Sequence, residues 1–94
     1  MRFNRESAVE RAKEDLSKRT GAAAGDVKVV SVADKDFPDM SLGAAADGEM
    51  SAQMISSGWK IVLESCGKEY EYRADKYQLR LHNFNGSNHV IETS

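Results

Sequence analysis

The chain is 94 residues long and carries 13 basic against 15 acidic residues, which leaves it close to neutral. A chain of this length predicts a single domain, residues 1–94, with one core. The lack of a basic run argues against nucleic acid as a partner, because a nucleic-acid binder needs concentrated positive charge. No apolar stretch approaches the ~18 residues of a membrane span. The first residues lack the apolar region of a secretory signal, so we expect a cytoplasmic protein rather than an exported one whose leader is missing.

Residues 4–20 predict the one substantial helix. Asn4 is a candidate N-cap, and the pair Ser7 and Glu10 offers a second start one turn later. Gly21 is well placed to end the helix in a left-handed conformation. The apolar stripe at helical spacing is narrow and rich in alanine, and consists of Ala8, Val9, Ala12 and Leu16. Such a stripe suits a helix that lies close against a sheet.

The stretch 27–33 is rich in β-branched residues and predicts a first strand. Its valines do not alternate cleanly, since Val27 and Val29 have one parity and Val30 and Val32 the other. A bulge would explain this pattern, as would burial on both faces in a central strand.

The segment 34–57 shows no clear periodicity. Pro38 excludes a central strand there, because proline cannot donate to a sheet. A short strand at 50–55 would shorten the segment, which is otherwise a long loop for a compact domain. Loops of this length are either functional or mobile.

From Gly58 to Leu81, large apolar residues recur at every second position with charged residues between them. This pattern is typical of strands with one buried and one solvent-exposed face. The apolar set is Trp59, Ile61, Leu63, Tyr70, Tyr72, Tyr77, Leu79 and Leu81. The predicted strands are 58–65, 68–75 and 77–83. Cys66-Gly67 and Asp75-Lys76 supply the turns between them.

The tail, 84–94, is polar and contains the turn signal Asn85-Gly86. Residues 89–91 either add a short final strand or fray. We therefore predict an α+β fold, in which one N-terminal helix packs on a mainly antiparallel sheet of three to five strands. Sequential strands joined by tight turns should pair as neighbours.

Several short motifs follow one another at characteristic spacings. They are Ala12, Asp15, Leu16, Arg19 and Gly21; Phe37-Pro38-Asp39; Leu42-Gly43; Gly58-Trp59-Lys60-Ile61; and Gly67, Tyr70, Tyr72, Arg73 and Asp75. In this order they resemble an uncharacterised family of small bacterial domains with a helix followed by antiparallel strands, PepSY-like in layout. The resemblance covers roughly residues 8–80 and implies the same fold, with no established reaction or cofactor. Many members carry Cys-Pro directly after Leu-Gly, where this chain has Ala44-Ala45, so a disulfide that would tie down the loop is missing.

The motif from Phe37 to Gly43 is the most distinctive segment that sheet periodicity does not explain. One interpretation is a recognition loop with an aromatic anchor, a rigid proline and a carboxylate at Asp39. The other is a structural plug, in which Phe37 and Leu42 close the core and Asp39 accepts backbone N–H groups. The candidate binding residues are Phe37, Pro38, Asp39, Leu42, Gly43, Met50 and Met54.

No catalytic or metal-binding constellation stands out. Cys66 would need a histidine beside it to act as a nucleophile. Because they are seven residues apart, His82 and His89 would face opposite sides of one strand, and no zinc-type spacing is present. We therefore expect neither an enzyme nor a cofactor.

The function that the sequence favours is a non-enzymatic protein- or peptide-interaction or regulatory module, which would bind through the 34–57 loop or through a free sheet edge. The alternative is a small-molecule binder or minor enzyme with a pocket under that loop, between helix and sheet. A third reading is an assembly piece whose edge strand makes a dimer.

Overall fold

The computed structural model describes residues 2–93 and shows an α+β fold, as predicted. In chain order the elements are helix α1 (Arg5–Thr20), a short 3-10 turn (Ala24–Asp26), and strands β1 (Lys28–Phe37), β2 (Ser56–Ser65), β3 (Lys68–Ala74), β4 (Gln78–Phe84) and β5 (Ser87–Thr93). The strands form one sheet in the order β1-β2-β3-β4-β5, with every neighbouring pair antiparallel. Sequential strands pair as neighbours throughout, so no crossover is needed.

Helix α1 begins at the first of the two predicted starts. The Asn4 side chain accepts the backbone N–H of Ser7, and the Ser7 hydroxyl in turn accepts the backbone N–H of Asn4. This reciprocal cap satisfies two donors that the first turn would otherwise leave free. At the other end Gly21 takes a left-handed φ of 76° and donates its N–H to the Ser17 carbonyl.

The helix covers one face of the sheet, which we call the inner face. Ala8, Ala12 and Leu16 are fully buried there. They pack against sheet residues that include Ile61, Leu63, Tyr72, Leu79 and Leu81. Small side chains on the helix allow this close approach to the sheet.

The hydroxyl of Tyr72 is a polar group within this core. It donates to Asp15 on the helix, at 2.7 Å. Burial raises the pKa of Tyr72, and the neighbouring Asp15 carboxylate raises it further. Tyr72 therefore stays protonated and ties the centre of the sheet to the middle of α1.

Strand β1 lies at an edge of the sheet and pairs with β2 alone. Its register slips between Val29 and Ser31, so the irregular valine pattern comes from a bulge and not from burial on both faces. Val29 and Val30 are each close to half exposed. The strand continues to Phe37, past the predicted end at residue 33, because each residue from Asp34 to Phe37 keeps a partner on β2.

The predicted hairpin turns are present. Cys66-Gly67 and Asn85-Gly86 both have positive φ at the two central residues, at 54° and 77° and at 52° and 84°. Such turns match the right-handed twist of the paired strands. The second one leads into β5, so the final segment adds a strand instead of fraying.

Residues 50–55 form no strand. One backbone hydrogen bond, from the N–H of Met40 to the carbonyl of Ala52, links this stretch to the chain on the opposite side of the loop. A single bond does not make a ladder, and most of these side chains are exposed.

Two expectations about the alternating pattern are wrong. Tyr77 is 49% exposed, because it lies in the turn before β4, where its N–H is bound by the Asp75 carboxylate. Arg80, which the pattern places on the solvent-exposed face, is only 5% exposed. The loop between β1 and β2 folds over it, as described below.

Position 58 in β2 must be a glycine because strand β3 lies directly against it. A side chain at this position would collide with the backbone carbonyl of Ala74 on β3. The absence of a Cβ therefore allows β2 and β3 to run close together just where the long loop rejoins the sheet.

Candidate interaction site

The long loop, residues 38–55, lies over one end of the outer face of the sheet, opposite α1. Its first turn is organised by Asp39, whose carboxylate accepts the N–H of Ser41, the N–H of Gly43 and the Ser41 hydroxyl, each at 3.0 Å. The hydrogen bond from Gly43 holds the pKa of Asp39 below its usual value, and those from Ser41 act in the same direction. Asp39 therefore accepts backbone N–H groups, as the structural-plug interpretation predicts.

Side chains of the sheet bind the backbone carbonyls of this loop. Gln78 donates to the Met40 carbonyl at 2.6 Å and Arg73 to the Leu42 carbonyl at 3.0 Å. Two further donors follow, from Arg80 to the carbonyl of Ala44 at 3.3 Å and from Asn88 to the carbonyl of Ala45 at 2.9 Å. The loop is thus fixed to β3, β4 and β5 through its main chain.

Arg80 also binds the far side of the loop. Its guanidinium faces both carboxylate oxygens of Glu49, with Nη2 to Oε2 at 2.8 Å, while its Nε donates to the Gln78 side chain at 2.6 Å. The hydrogen bond from Arg80 holds the pKa of Glu49 below its usual value. A two-pronged pair of this kind fixes direction as well as distance.

The backbone of the loop is strained at one point. Leu42 and Gly43 both have positive φ, at 60° and 64°. The left-handed conformation costs a leucine residue about 1 kcal/mol or more. The complete burial of the Leu42 side chain offsets that cost. At Gly43 a Cβ would lie 2.7 Å from a guanidinium nitrogen of Arg73, so a larger residue would displace the arginine.

Apolar side chains are exposed at the two ends of the loop, at Met40 and Ile55, whereas polar ones such as Asp47 and Gln53 are exposed between them. Met40, Ile55 and Tyr77 line an open depression of about 350 Å³, together with Ser56, Ser57, Asp75 and Lys76. Met40 is 44% exposed and Ile55 74%. We call Met40, Ile55 and Tyr77 the loop-end surface. Met50 and Met54 are also exposed, further along the loop.

The structure divides the candidate binding residues into two groups. Phe37 and Leu42 are buried beneath the loop, with the Arg73 guanidinium stacked over the Phe37 ring at 5.7 Å. Their side chains hold the loop and are not available to a partner. Pro38, Met50 and Met54 are exposed, whereas Asp39 and Gly43 are half-buried in the first turn. The structure therefore brings part of the predicted set to the surface.

Sequence reasoning missed the residues that hold the loop, above all Arg73 and Arg80. Strand alternation assigns both to solvent, and their loop partners lie 31 to 36 positions away in the chain. It also missed Ile55 and Tyr77 as exposed apolar residues. Leu42 and Ile55 are the two branched aliphatic residues of the loop, which is otherwise small and polar apart from its methionines. This is the signal that could have singled out Ile55.

The open part of the outer face carries a charged cluster. Glu71 faces Arg73 at 2.6 Å and Lys60 and His82 at 3.7 Å each. Burial opposes ionisation of Glu71, but the hydrogen bond and charge of Arg73, with His82 and Lys60, keep its pKa below the usual value. Burial and the positive charge of Arg73 lower the pKa of His82, whereas the negative charge of Glu71 raises it by less.

Within residues 2–93, no three His, Cys, Asp or Glu side chains converge in a way that could hold a metal ion. Cys66 is exposed on the β2–β3 turn. His82 and His89 lie on the neighbouring strands β4 and β5, and not on one strand as the spacing suggested. In the same part of the chain, no helix is both long enough and apolar enough to span a membrane.

The chain forms a small α+β domain, with a helix capped at Asn4, five antiparallel strands and a loop fixed by strand arginines. The family model described as "Domain of unknown function (DUF8738)" matches residues 9–82, and the chain belongs to this family. The match includes the helix from Val9 onward, the long loop and its anchoring residues Arg73 and Arg80. No curated protein and no solved structure is significantly similar to the chain.

Proposed function

We propose that this protein is a non-enzymatic interaction module that binds a segment of another protein, or a peptide, through the loop-end surface. The observation that carries the proposal is the exposure of Met40, Ile55 and Tyr77 around one depression. Contiguous exposed apolar side chains often mark a protein-binding surface. Methionine side chains, being flexible and polarisable, adapt to a partner.

The rigid support beneath this surface favours the same function. The main chain of the loop is bound at Met40, Leu42, Ala44 and Ala45 by side chains of the sheet. A surface that is ordered before binding loses less conformational entropy when a partner binds. The apolar side chains are therefore presented on a fixed frame.

Site-specific photo-cross-linking tests the proposal. A photoreactive amino acid replaces Ile55 in one variant and Val90 in a second variant. Val90 is the control position, because it is also exposed but lies on β5. In cells of the source organism we expect Ile55 to cross-link one defined partner and Val90 not to do so.

Affinity for the purified partner provides the second measurement. We expect Ile55→Asp to weaken binding at least about tenfold, because a central apolar contact is typically worth more than ~1 kcal/mol. Val90→Asp should leave the affinity unchanged. Equal cross-linking from both positions, or equal affinity of a folded Ile55→Asp variant, would contradict the proposal.

The alternative of a small-molecule binder or minor enzyme stays a prediction. The space beneath the long loop is filled by Phe37, Leu42 and Ala44, all of which are buried. This packing does not favour a pocket in that place. A thermal-shift screen of small molecules is the measurement that addresses it.

We also propose that the protein works in the cytoplasm and that its family is bacterial and PepSY-like in layout. An exposed free thiol at Cys66 supports a reducing compartment. The helix followed by an antiparallel sheet supports the layout. Cell fractionation tests the location, and superposition of an experimental structure on PepSY domains tests the layout.

A further inference from the structure

A second depression adjoins the loop-end surface. It has a volume of about 320 Å³ and is lined by Asp34, Lys35 and Asp36 of β1 and by Ser57, Gly58 and Trp59 of β2. Ser57 lines both depressions. A segment bound at the loop-end surface can therefore reach the second depression without leaving the protein.

The strand register decides which side chains share a face in the second depression. Asp34 pairs with Trp59 and Asp36 pairs with Ser57, so both carboxylates lie on the same face as the indole ring. Lys35 pairs with Gly58, and strand alternation directs its side chain to the opposite face. Trp59 is half-buried, with part of its ring against the core.

The side chains that line this depression carry two negative charges, on Asp34 and Asp36, and one positive charge, on Lys35. Asp36 accepts a hydrogen bond from the Ser57 hydroxyl at 2.7 Å, which leaves its charge in place. Among the described residues, Asp34 has no ion-pair partner within 4 Å. Other cations lie close by: Arg5 donates to the Val32 carbonyl at 2.7 Å. In the neighbouring depression Lys76 is exposed, and Arg2 stacks on Tyr77 at 5.5 Å.

Two carboxylates beside an indole ring are complementary to an alkylammonium or guanidinium group. The carboxylates attract the charge, and the ring face adds a cation–π contribution. The aliphatic stem of lysine or arginine packs on the aromatic edge. An acidic or neutral side chain gains none of these contacts.

We propose that the partner segment bound at the loop-end surface carries a lysine or arginine beside its apolar anchor, and that this cation occupies the depression formed by Asp34, Asp36 and Trp59. The inference rests on the proposed function, because the same segment must fill both depressions. It identifies the partner as a segment that carries a basic residue beside an apolar one.

A random heptapeptide library displayed on phage and selected on the whole protein tests this inference. We expect the selected peptides to carry Lys or Arg one to three positions from a large apolar residue. Each selected peptide is synthesised, together with a version in which glutamine replaces the basic residue. Trp59 is the single tryptophan of the chain, so its fluorescence reports occupancy of the second depression directly.

We expect the basic peptide to change the emission of Trp59 and to bind at least about tenfold more tightly than its glutamine version. The double substitution Asp34→Asn and Asp36→Asn should remove this difference, whereas Asp47→Asn, in the exposed part of the long loop, should retain it. Added salt should weaken binding of the basic peptide and leave binding of the glutamine version unchanged, because salt screens exposed charges.

Results that contradict this inference alone can be distinguished from results that also contradict the proposed function. Peptides that lose binding in Ile55→Asp but show no basic preference, or no response to the Asp34 and Asp36 substitutions, would overturn this inference and leave the proposed function standing. Peptides that bind Ile55→Asp as well as the native protein would overturn both. A change in Trp59 emission with protein concentration alone would assign the depression to a second copy of the chain and would also overturn the inference.

Discussion

The guanidinium of Arg80 has protein acceptors on several sides: the Glu49 carboxylate, the Ala44 carbonyl and the Gln78 side chain. Its side chain is only 6% exposed, whereas that of Glu49 is 30% exposed. A charge this deeply covered needs its partner, because water cannot take the place of the carboxylate.

We expect Glu49→Gln to lower the free energy of unfolding by about 1–2 kcal/mol, the usual worth of a partly exposed hydrogen bond to a charged group. The shape of the side chain is conserved, so the loss reports the charge and one acceptor oxygen, and not a change in packing. Urea denaturation measures it. Glu14→Gln is the matched control, because Glu14 faces Lys18 at 3.5 Å on the open surface of α1 and should change stability by less than ~0.5 kcal/mol. Equal effects of the two substitutions would contradict the role given to Glu49.

At the scale of the element, the first turn of the long loop depends on one carboxylate. Asp39 binds the N–H groups of Ser41 and Gly43, and Leu42 between them has a positive φ. Without the acceptor, two N–H groups are released and nothing local offsets the strain at Leu42.

We expect Asp39→Ala to speed hydrogen exchange of the loop amides, those of Ser41 and Gly43 above all, while amides at the centre of β2 and β3 keep their protection. The unfolding free energy should fall by roughly 1–3 kcal/mol. Hydrogen exchange followed by NMR measures both, and Asp47→Ala serves as the control. Unchanged exchange at Ser41 and Gly43 would show that the sheet side chains alone maintain the turn.

Local signals in the sequence predict most elements of this fold. The capping residue Asn4, the terminating Gly21, and the turns at Cys66-Gly67 and Asn85-Gly86 each act within a few positions of the chain. Strand alternation then identifies the buried face around Tyr72. These features are predictable because their physical causes are short-range.

The shape of the long loop is not predictable in this way. It depends on Arg73, Arg80 and Asn88, whose contacts with the loop span 31 to 43 residues. Nothing in the periodicity distinguishes an arginine that faces solvent from one that is covered by a distant segment. For the same reason, the loop-end surface around Ile55 and Tyr77 emerges only from the three-dimensional structure.

At the scale of the whole molecule, four groups make stability depend on pH in the same direction. The pKa of Asp39 is lowered from 3.8, those of Glu49 and Glu71 from 4.5, and that of His82 from 6.5. In each case the unfolded chain binds a proton more readily than the folded one, so acid favours unfolding. The contribution of His82 is complete above about pH 7 and is lost first, and those of the three carboxylates are lost as the pH falls below about 5.

We expect the free energy of unfolding to fall slightly from pH 7.5 to 5.5 and more steeply from pH 5.5 to 3.5. In the double variant Asp39→Asn and Glu49→Gln the steep part should be shallower, because those positions no longer titrate. Urea denaturation at the three pH values measures both slopes. Parallel curves for the native and variant proteins would show that other carboxylates cause the acid sensitivity.

The manner in which the long loop is held has a consequence for its evolution. The sheet binds carbonyl oxygens of Met40, Leu42, Ala44 and Ala45, which every amino acid possesses. Mutation of the outward side chains therefore leaves the anchoring bonds intact. Within this family, descendants can diversify what the loop presents while they inherit the same frame, and one ancestral scaffold can acquire different specificities without refolding.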